Sequence, residues 1–510
     1  TTGQIVLITS VGGMTQLNNL FFTVTVVDVD NVTLQGIDSS AYGTFTSGGQ
    51  IVPEVGTVLP FNPTLPTHGL NSISVRGTSF FASTATANAN GFALHRAFID
   101  GGVEQPGVFV DKFKASKKAW GTGFIASSIQ HGNPISTSSA HNPIAELTAA
   151  TLGNIFASAT DAAKARDGIN GAKNSTSKFF CCSRFIHAAL ALLSLAHGQA
   201  SQTDTYCAWY NATTNFPKGC NSGALKDASD AAVTYTGDGY QTCGKTGSSV
   251  VFSKTTHNGQ DCGIADLNGL MYEVSLGITC IAAAKTVTGA SQANPCVITI
   301  AGHGYATGDV VMLTSLGGMT QLNDKLYKVT VLTADTFSLD SINSTGYTAF
   351  TSGGNCTKGT FHVAKQATRM RDFTSGNTLA TDHWGATGVA AMMDTLDAAT
   401  VASMFKTTTG GAFAQRYGSG ANQVLDESLS GAGWTKTCLG LVKSEAGIDT
   451  SGTNLFDQDY YYQYIRNDLC ARSCGGWDSG SRAGVWYLRL NDTRTNSDAS
   501  VGFRCACYPL

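Results

Sequence analysis

The chain has 510 residues, of which 42% are hydrophobic and 13% charged, with a formal net charge of −3. That length and apolar content suffice for roughly two to four domains with buried cores, which excludes a disordered chain. The balanced charge supplies no basic field for nucleic acid or anionic lipid, so nucleic acid is excluded as a partner. Gly, Thr, Ser, Ala and Asn dominate over Lys and Glu, a balance that favours a β-rich extracellular protein.

Residues 1–51 form the first unit. Segments such as Phe22 to Asp28 alternate apolar with polar, with Gly-Gly and Asp-Asn punctuation between them, which predicts a small antiparallel β module. Thr1 to Gly49 aligns without a gap to Ala306 to Gly354, and about half the aligned positions are identical. The shared signature is GGMTQLN, at Gly12 to Asn18 and again at Gly317 to Asn323, followed by TSGG at Thr46 and Thr351. The second copy has an additional leading segment, Thr288 to Tyr305, without a counterpart before Thr1. The first copy is therefore truncated, and the chain is expected to be the C-terminal piece of a longer polypeptide.

Residues 52–71 carry Pro53, Pro60, Pro63 and Pro66, four of the ten prolines, and read as a stiff extended linker. Residues 72–287 and 361–510 are expected to form one domain, interrupted at 288–360 by the second β module. Such an insertion is tolerated because antiparallel end strands bring both of its termini together. Within the first part, Ser183 to Gln199 is helical by periodicity, with Ile186, Leu190, Leu193 and Leu195 in one buried sector. The longest apolar run, Ile186 to Ala196, is too short to cross a bilayer and contains His187, which predicts no membrane span.

The fourteen cysteines show no paired CxxC spacing of a zinc site, which leaves disulfides or buried thiols. Cys296 and Cys356 lie just inside the two ends of the second module and are predicted to be bonded, closing it at its root. Adjacent Cys181 and Cys182 cannot easily pair with each other.

The strongest signal is Cys474 to Cys507: a Gly-Gly-Trp turn, a short alternating strand, a polar loop, then Val501-Gly502-Phe503-Arg504-Cys505. This closing pattern resembles the C-type-lectin-like fold of bacteriophage receptor-binding proteins and of formylglycine-generating enzymes. Phe109 to Phe113 resembles that superfamily's F-x-D-K-[FY]-E strand, with Lys114 in place of the Glu. Ser183 to Gln199 and Asp266 to Val274 resemble its T-x-A-E-W-x-x-A helix and its D-[LM]-x-G-N-V-W-E-W segment. The second β module and its His303 to Asp309 start are similar to modules of phage tail and fibre proteins. The resemblance implies an α+β, β-rich chain: a C-type-lectin-like domain interrupted by one β module and preceded by a truncated copy of it.

The oxygen-using enzymes of this superfamily place a copper-binding cysteine pair after Gly-Gly, where Trp477 to Gly484 here has none. An oxidase is thus the least favoured reading, and no catalytic residue, metal or cofactor is assigned. Surface recognition remains. Asp459, Tyr460, Tyr461, Tyr462 and Tyr464, then Trp477, Asp478, Ser479, Arg482, Tyr487, Arg489, Asn491, Asp492, Arg494 and Asn496 are the candidate ligand-binding residues. Tyr and Trp suit the task because they are large, amphipathic and poor in rotamers, and Arg because its planar guanidinium presents five donors. Alternation from Gly484 to Leu490 sends Val485, Tyr487 and Arg489 one way and Trp486, Leu488 and Leu490 the other. The combination resembles phage proteins of the major tropism determinant type. It implies a virion surface protein, a tail fibre or receptor-binding adhesin that is extracellular and acts as a homo-oligomer, a trimer by analogy. Its partners would be a host cell-surface glycan or protein and other virion proteins. The alternative is a structural virion component, such as a head decoration or baseplate protein.

Overall fold

A computed structural model describes residues 2, 5–18, 20–53, 61–62, 72–73, 83–90, 92–144, 155–168, 174, 176–200, 220–221, 224–227, 234–247, 251–252, 263–373, 389–397, 400–401, 414–416, 428–441 and 459–509. Strand outweighs helix, so the chain is a β-rich α+β protein.

The first module is a four-stranded antiparallel sheet in the order Val32–Leu34, Leu20–Val26, Ile5–Gly12, Ser47–Pro53. Its GGMTQLN turn has a mechanical explanation. The Asn18 carboxamide accepts from the Val11 N–H at 2.7 Å and donates to the Val11 carbonyl at 2.9 Å, so one side chain staples the turn to the strand before it. Gly13 sits at φ +79°, where a Cβ would run into the Thr44 carbonyl, and only glycine fits. The linker call at 52–71 mostly falls outside the described residues. Within it, Pro53 ends the strand Ser47–Pro53, and Pro60, Pro63 and Pro66 lie outside them.

The second module grows out of a long antiparallel pair, Ile278–Thr286 with Asn355–Ala364, in register from Ile278↔Val363 to Thr286↔Asn355. Beyond it the sheet runs Val310–Thr314, Lys325–Val331, Thr336–Leu339, Val297–Thr299, Gly289–Ala290. The Asn323 staple on Leu316 repeats that of Asn18, at 2.7 and 3.0 Å. Fifteen residues form its own buried core, among them Phe337, Leu339, Ile298 and Val329.

That strand order corrects the expected Cys296–Cys356 disulfide: both cysteines are buried free thiols. The module's first and last strands are not neighbours, because three strands separate Val297–Thr299 from Asn355–Ala364. Cys296 is hydrogen-bonded through its backbone to Leu339 and Ile342, whereas Cys356 pairs with Leu313 and Lys285.

The remainder is built on a six-stranded sheet in the order Ala414–Arg416, Tyr460–Gln463, Leu488–Thr493, Leu469–Ser473, Tyr272–Ser275, Val501–Gly502. A three-stranded sheet places Cys505–Cys507 between Phe180–Cys181 and Phe109–Val110, so the last strand stitches early chain to late. Helix Arg184–Ala200 has Ile186 and Leu190 buried and Leu193 half-buried, as its periodicity predicts, while the Leu195 side chain lies outside what is described. Arg184, His187, Ala188 and Ala191 are buried as well. The helix is enclosed on several sides because helix Gly431–Leu439 and strand Leu469–Ser473 both pack on it. No described helix is long and apolar enough to cross a membrane.

Candidate functional site

Beneath the six-stranded sheet lies a buried ionic centre. Glu273, in the buried strand Tyr272–Ser275, is fully buried and receives Arg504 through Nη2 at 3.0 Å and Nε at 3.2 Å. The remaining Arg504 donors go to the carbonyls of Asp111 at 2.7 Å, Lys112 at 2.8 Å and Ala265 at 2.7 Å, so every guanidinium N–H has an acceptor. Lys114 Nζ lies 3.3 Å from Glu273 Oε1, and His187 Nε2 lies 3.5 Å from Oε2. Burial alone would raise the Glu273 pKa, but Arg504, Lys114 and His187 outweigh it and hold the carboxylate at about 2. Burial, against the pull of Glu273, pushes His187 down to about 3, so this imidazole is neutral. Arg504 belongs to the closing Gly-Phe-Arg motif, and its work is architectural: it joins four segments of the chain. Removing one partner of such a buried pair costs roughly 3–5 kcal/mol.

Above that latch, the solvent side of the sheet carries the aromatic and cationic residues. In Tyr460–Gln463 burial alternates, with Tyr460 and Tyr462 half-exposed and Tyr461 and Gln463 buried. Parallel pairing sets Tyr462 opposite Arg489 on the next strand, where half-exposed Arg489 and Asn491 alternate with buried Leu488 and Leu490. The Tyr460 and Tyr462 rings stack at 6.2 Å, and exposed Arg482 caps Tyr460 with its guanidinium 4.7 Å from the ring centre. Arg489 is fixed from three directions. Its Nε donates to Asn491 Oδ1 at 2.6 Å, Asp492 Oδ2 lies 3.3 Å away, and its Nη1 donates to the Tyr272 hydroxyl at 3.3 Å. The Tyr272 hydroxyl also meets Ser479 Oγ at 2.9 Å. Asp492 in turn holds Arg472 at 3.2 Å and accepts from Asn496 Nδ2 at 2.8 Å. The result is a stacked, pre-organised face of phenol and guanidinium groups, which by their chemistry can hydrogen-bond hydroxyl-rich or anionic groups and stack on planar ones.

Of the candidate residues, Tyr460, Tyr462, Ser479, Arg489, Asn491, Asp492 and Asn496 are half-exposed, and Asp478 and Arg482 are exposed. The others face inward. Tyr461 is wholly buried, with its hydroxyl on Gln463 at 2.7 Å, and Tyr464 is nearly so, receiving the Tyr462 hydroxyl at 2.8 Å. Asp459 is buried and accepts the Trp486 N–H at 2.9 Å, which anchors a turn. Trp477 packs on His141 and Tyr240, and buried Arg494 pairs with Asp468. The predicted alternation fails before Leu488, because Gly484 to Tyr487 is a turn and the strand begins only at Leu488. Tyr487 is consequently buried, tilted against Tyr272 at 5.5 Å and stacked on Tyr460 at 6.2 Å, where it backs the face instead of displaying itself.

Sequence reasoning missed Tyr272, which reaches this face from a segment nearly two hundred residues upstream. The available signal was Glu273, a carboxylate in the mostly apolar run Leu270 to Val274 that demands a buried cation and marks a central strand. The cysteines of the same region, Cys470, Cys474 and Cys505, are buried, and burial pushes their thiols up, Cys470 to about 12.

Residues 293–359, the inserted module, match the family model of the ubiquitin-activating enzyme E1 FCCH domain. The match is confined to that module and includes none of the residues of the aromatic and cationic face. No curated protein matches the chain.

Proposed function

We propose that this chain is a phage virion surface protein, a tail fibre or receptor-binding adhesin whose C-terminal region is a C-type-lectin-like domain that grips the host envelope. One observation carries the reading: Tyr460, Tyr462, Arg482, Arg489, Asn491 and Asp492 converge on one solvent-facing sheet surface and are fixed there by stacking and hydrogen bonds. Rigid aromatic and arginine side chains lose little entropy on binding, which is how a small patch attains useful affinity for a cell-surface glycan or protein. The closing Val501 to Cys505 motif supports the lectin-like assignment, since its arginine latches the sheet that carries the patch. Such a protein acts on the virion, outside the cell, as a homo-oligomer for which a trimer is the working model.

The experiment is a pull-down of host envelope material by the full chain and by a Tyr460→Ala, Arg489→Ala double variant with an unchanged melting curve. Wild-type binding with at least about tenfold loss in the variant supports the reading. Equal capture by both removes the face from the function.

A structural virion role is the second reading, favoured by one observation. The first module leaves Val26, Val27, Val29, Val32, Ile37 and Ile51 exposed, an apolar surface suited to contact with another virion protein. Labelling of these positions in isolated chain but not in assembled particles would favour it.

A further inference from the structure

Behind Trp477, three segments bring a histidine, a carboxylate and a thiol together. The Asp238 N–H donates to the Cys243 carbonyl at 2.9 Å, closing a tight hairpin that sets Asp238 beside Cys243. His141 arrives from a separate turn, and its Nδ1 lies 2.8 Å from the Ala499 carbonyl. A carbonyl only accepts, so Nδ1 carries the hydrogen and Nε2 is the nitrogen aimed inward. Nε2 stands 2.5 Å from Asp238 Oδ2, and the side chains of both residues are buried. At that separation the two atoms share a hydrogen in the ion-free chain, since a metal ion bound to both would hold them about 3.3 Å apart. The Cys243 sulfur, whose S–H donates to the Gly244 carbonyl at 3.5 Å, completes with Nε2 and the carboxylate oxygen a trio whose atoms all lie within 4.8 Å of one another.

The surroundings resemble the outer shell of a metal site. Asp238 accepts from the Tyr240 N–H at 2.9 Å and from Asn142 Nδ2 at 3.2 Å, which orients its free lone pairs, and the Ala499 carbonyl fixes the imidazole. Tyr240 stacks on His141 at 4.3 Å and Trp477 closes the other side at 5.4 Å. A second trio, His187, Glu273 and Cys474, has similar spacing but the opposite electrostatics. Lys114 and Arg504 already occupy Glu273 and would repel a cation. No lysine or arginine among the described residues pairs with Asp238.

We propose that His141 Nε2, Asp238 Oδ2 and Cys243 Sγ bind a zinc ion, with water as the fourth ligand. Nitrogen, oxygen and sulfur donors in one set suit borderline-soft zinc, at metal–ligand distances of about 2.0–2.3 Å. Admitting the ion opens the Nε2–Oδ2 gap to about 3.3 Å, a shift of less than an ångström that the two turns absorb. The Cys243 thiol proton leaves to solvent as the thiolate coordinates. The ion then ties the 237–244 hairpin, the 138–142 turn and the 498–500 segment into one brace behind Trp477. This assignment is independent of what the outer face binds.

The test uses the full chain, stripped with chelator and titrated with cobalt as a spectroscopic stand-in for zinc. One equivalent should bind with tetrahedral d–d absorption and a thiolate-to-metal charge-transfer band, and zinc should displace it. Cys243→Ser should abolish the charge-transfer band, Asn142→Ala should weaken binding roughly tenfold or more, and Cys474→Ala should change neither. Failure to bind stoichiometric metal overturns the proposal, as does a band that persists in Cys243→Ser or disappears in Cys474→Ala. Zinc-edge X-ray absorption of the wild type keeps the question open to refutation if a variant does not fold. A sulfur at about 2.3 Å beside nitrogen and oxygen ligands is expected, and a shell without sulfur sinks the idea.

Discussion

The two β modules share their fold and their turn, yet one is closed and the other open. Position by position, Ile51 is 53% exposed where Cys356 is fully buried, Val32 is 38% exposed where Phe337 is fully buried, and Ile37 is 37% exposed where Ile342 is 9%. The strands, registers and asparagine staples coincide. What differs is coverage. In the second copy Val297–Thr299 pairs with Thr336–Leu339 on one edge, and Ile278–Thr286 pairs with Asn355–Ala364 on the other. Among the described residues, neither edge of the first copy is covered. Local sequence therefore specifies the sheet, whereas burial depends on which strands flank it, and stability follows burial.

Substitutions at equivalent positions turn that contrast into measurements. Phe337→Ala should cost about 3–5 kcal/mol by calorimetry, while Val32→Ala at the matching position should cost less than about 1 kcal/mol. Equal costs would mean that the first module is covered after all. Exchange of the last-strand residues comes next: Cys356→Ile overpacks a closed core and should cost about 1–3 kcal/mol, whereas Ile51→Cys should stay within about 0.5 kcal/mol.

Acid separates the modules from the sheet beneath the aromatic face. Both Glu273 and His187 have folded pKa values below their ordinary ones, about 2 against 4.5 and about 3 against 6.5. Their contribution is fully present above pH 6.5, falls first as the unfolded histidine takes up protons, and falls again below pH 4.5. Neither module contains tryptophan, so tryptophan fluorescence reports on the rest of the chain. Melting followed by fluorescence should drop in temperature between pH 7 and pH 4 more than the calorimetric transition of the inserted module; parallel shifts would contradict this.

The staple tests what the copies share. Asn323→Ala and Asn18→Ala each remove the same two hydrogen bonds and should each cost about 1–2 kcal/mol. The smallest effect is a null one. A reductant should leave the melting temperature unchanged, and alkylation after unfolding without reductant should label both Cys296 and Cys356. Protection of both would restore the disulfide that the strand order denies.

Much of this architecture was legible in the chain itself. Exact repetition of GGMTQLN exposed the two modules, because a turn that needs a glycine at positive φ and a stapling asparagine tolerates few alternatives. Period 3.6 gave the helix Arg184–Ala200, and the clustered tyrosines marked the strand whose alternate residues reach solvent. These are local properties, set by backbone geometry and side-chain period within a few residues. Tertiary structure alone decided the rest. It decided that Tyr487 lies behind the face rather than on it, that Tyr272 joins it from a distant strand, that Arg504 serves Glu273, and that Cys296 and Cys356 stand three strands apart. Each of those outcomes depends on which strands become neighbours. Neighbours in a sheet are chosen by the burial of the whole chain, for which no short stretch of sequence carries a period or a spacing.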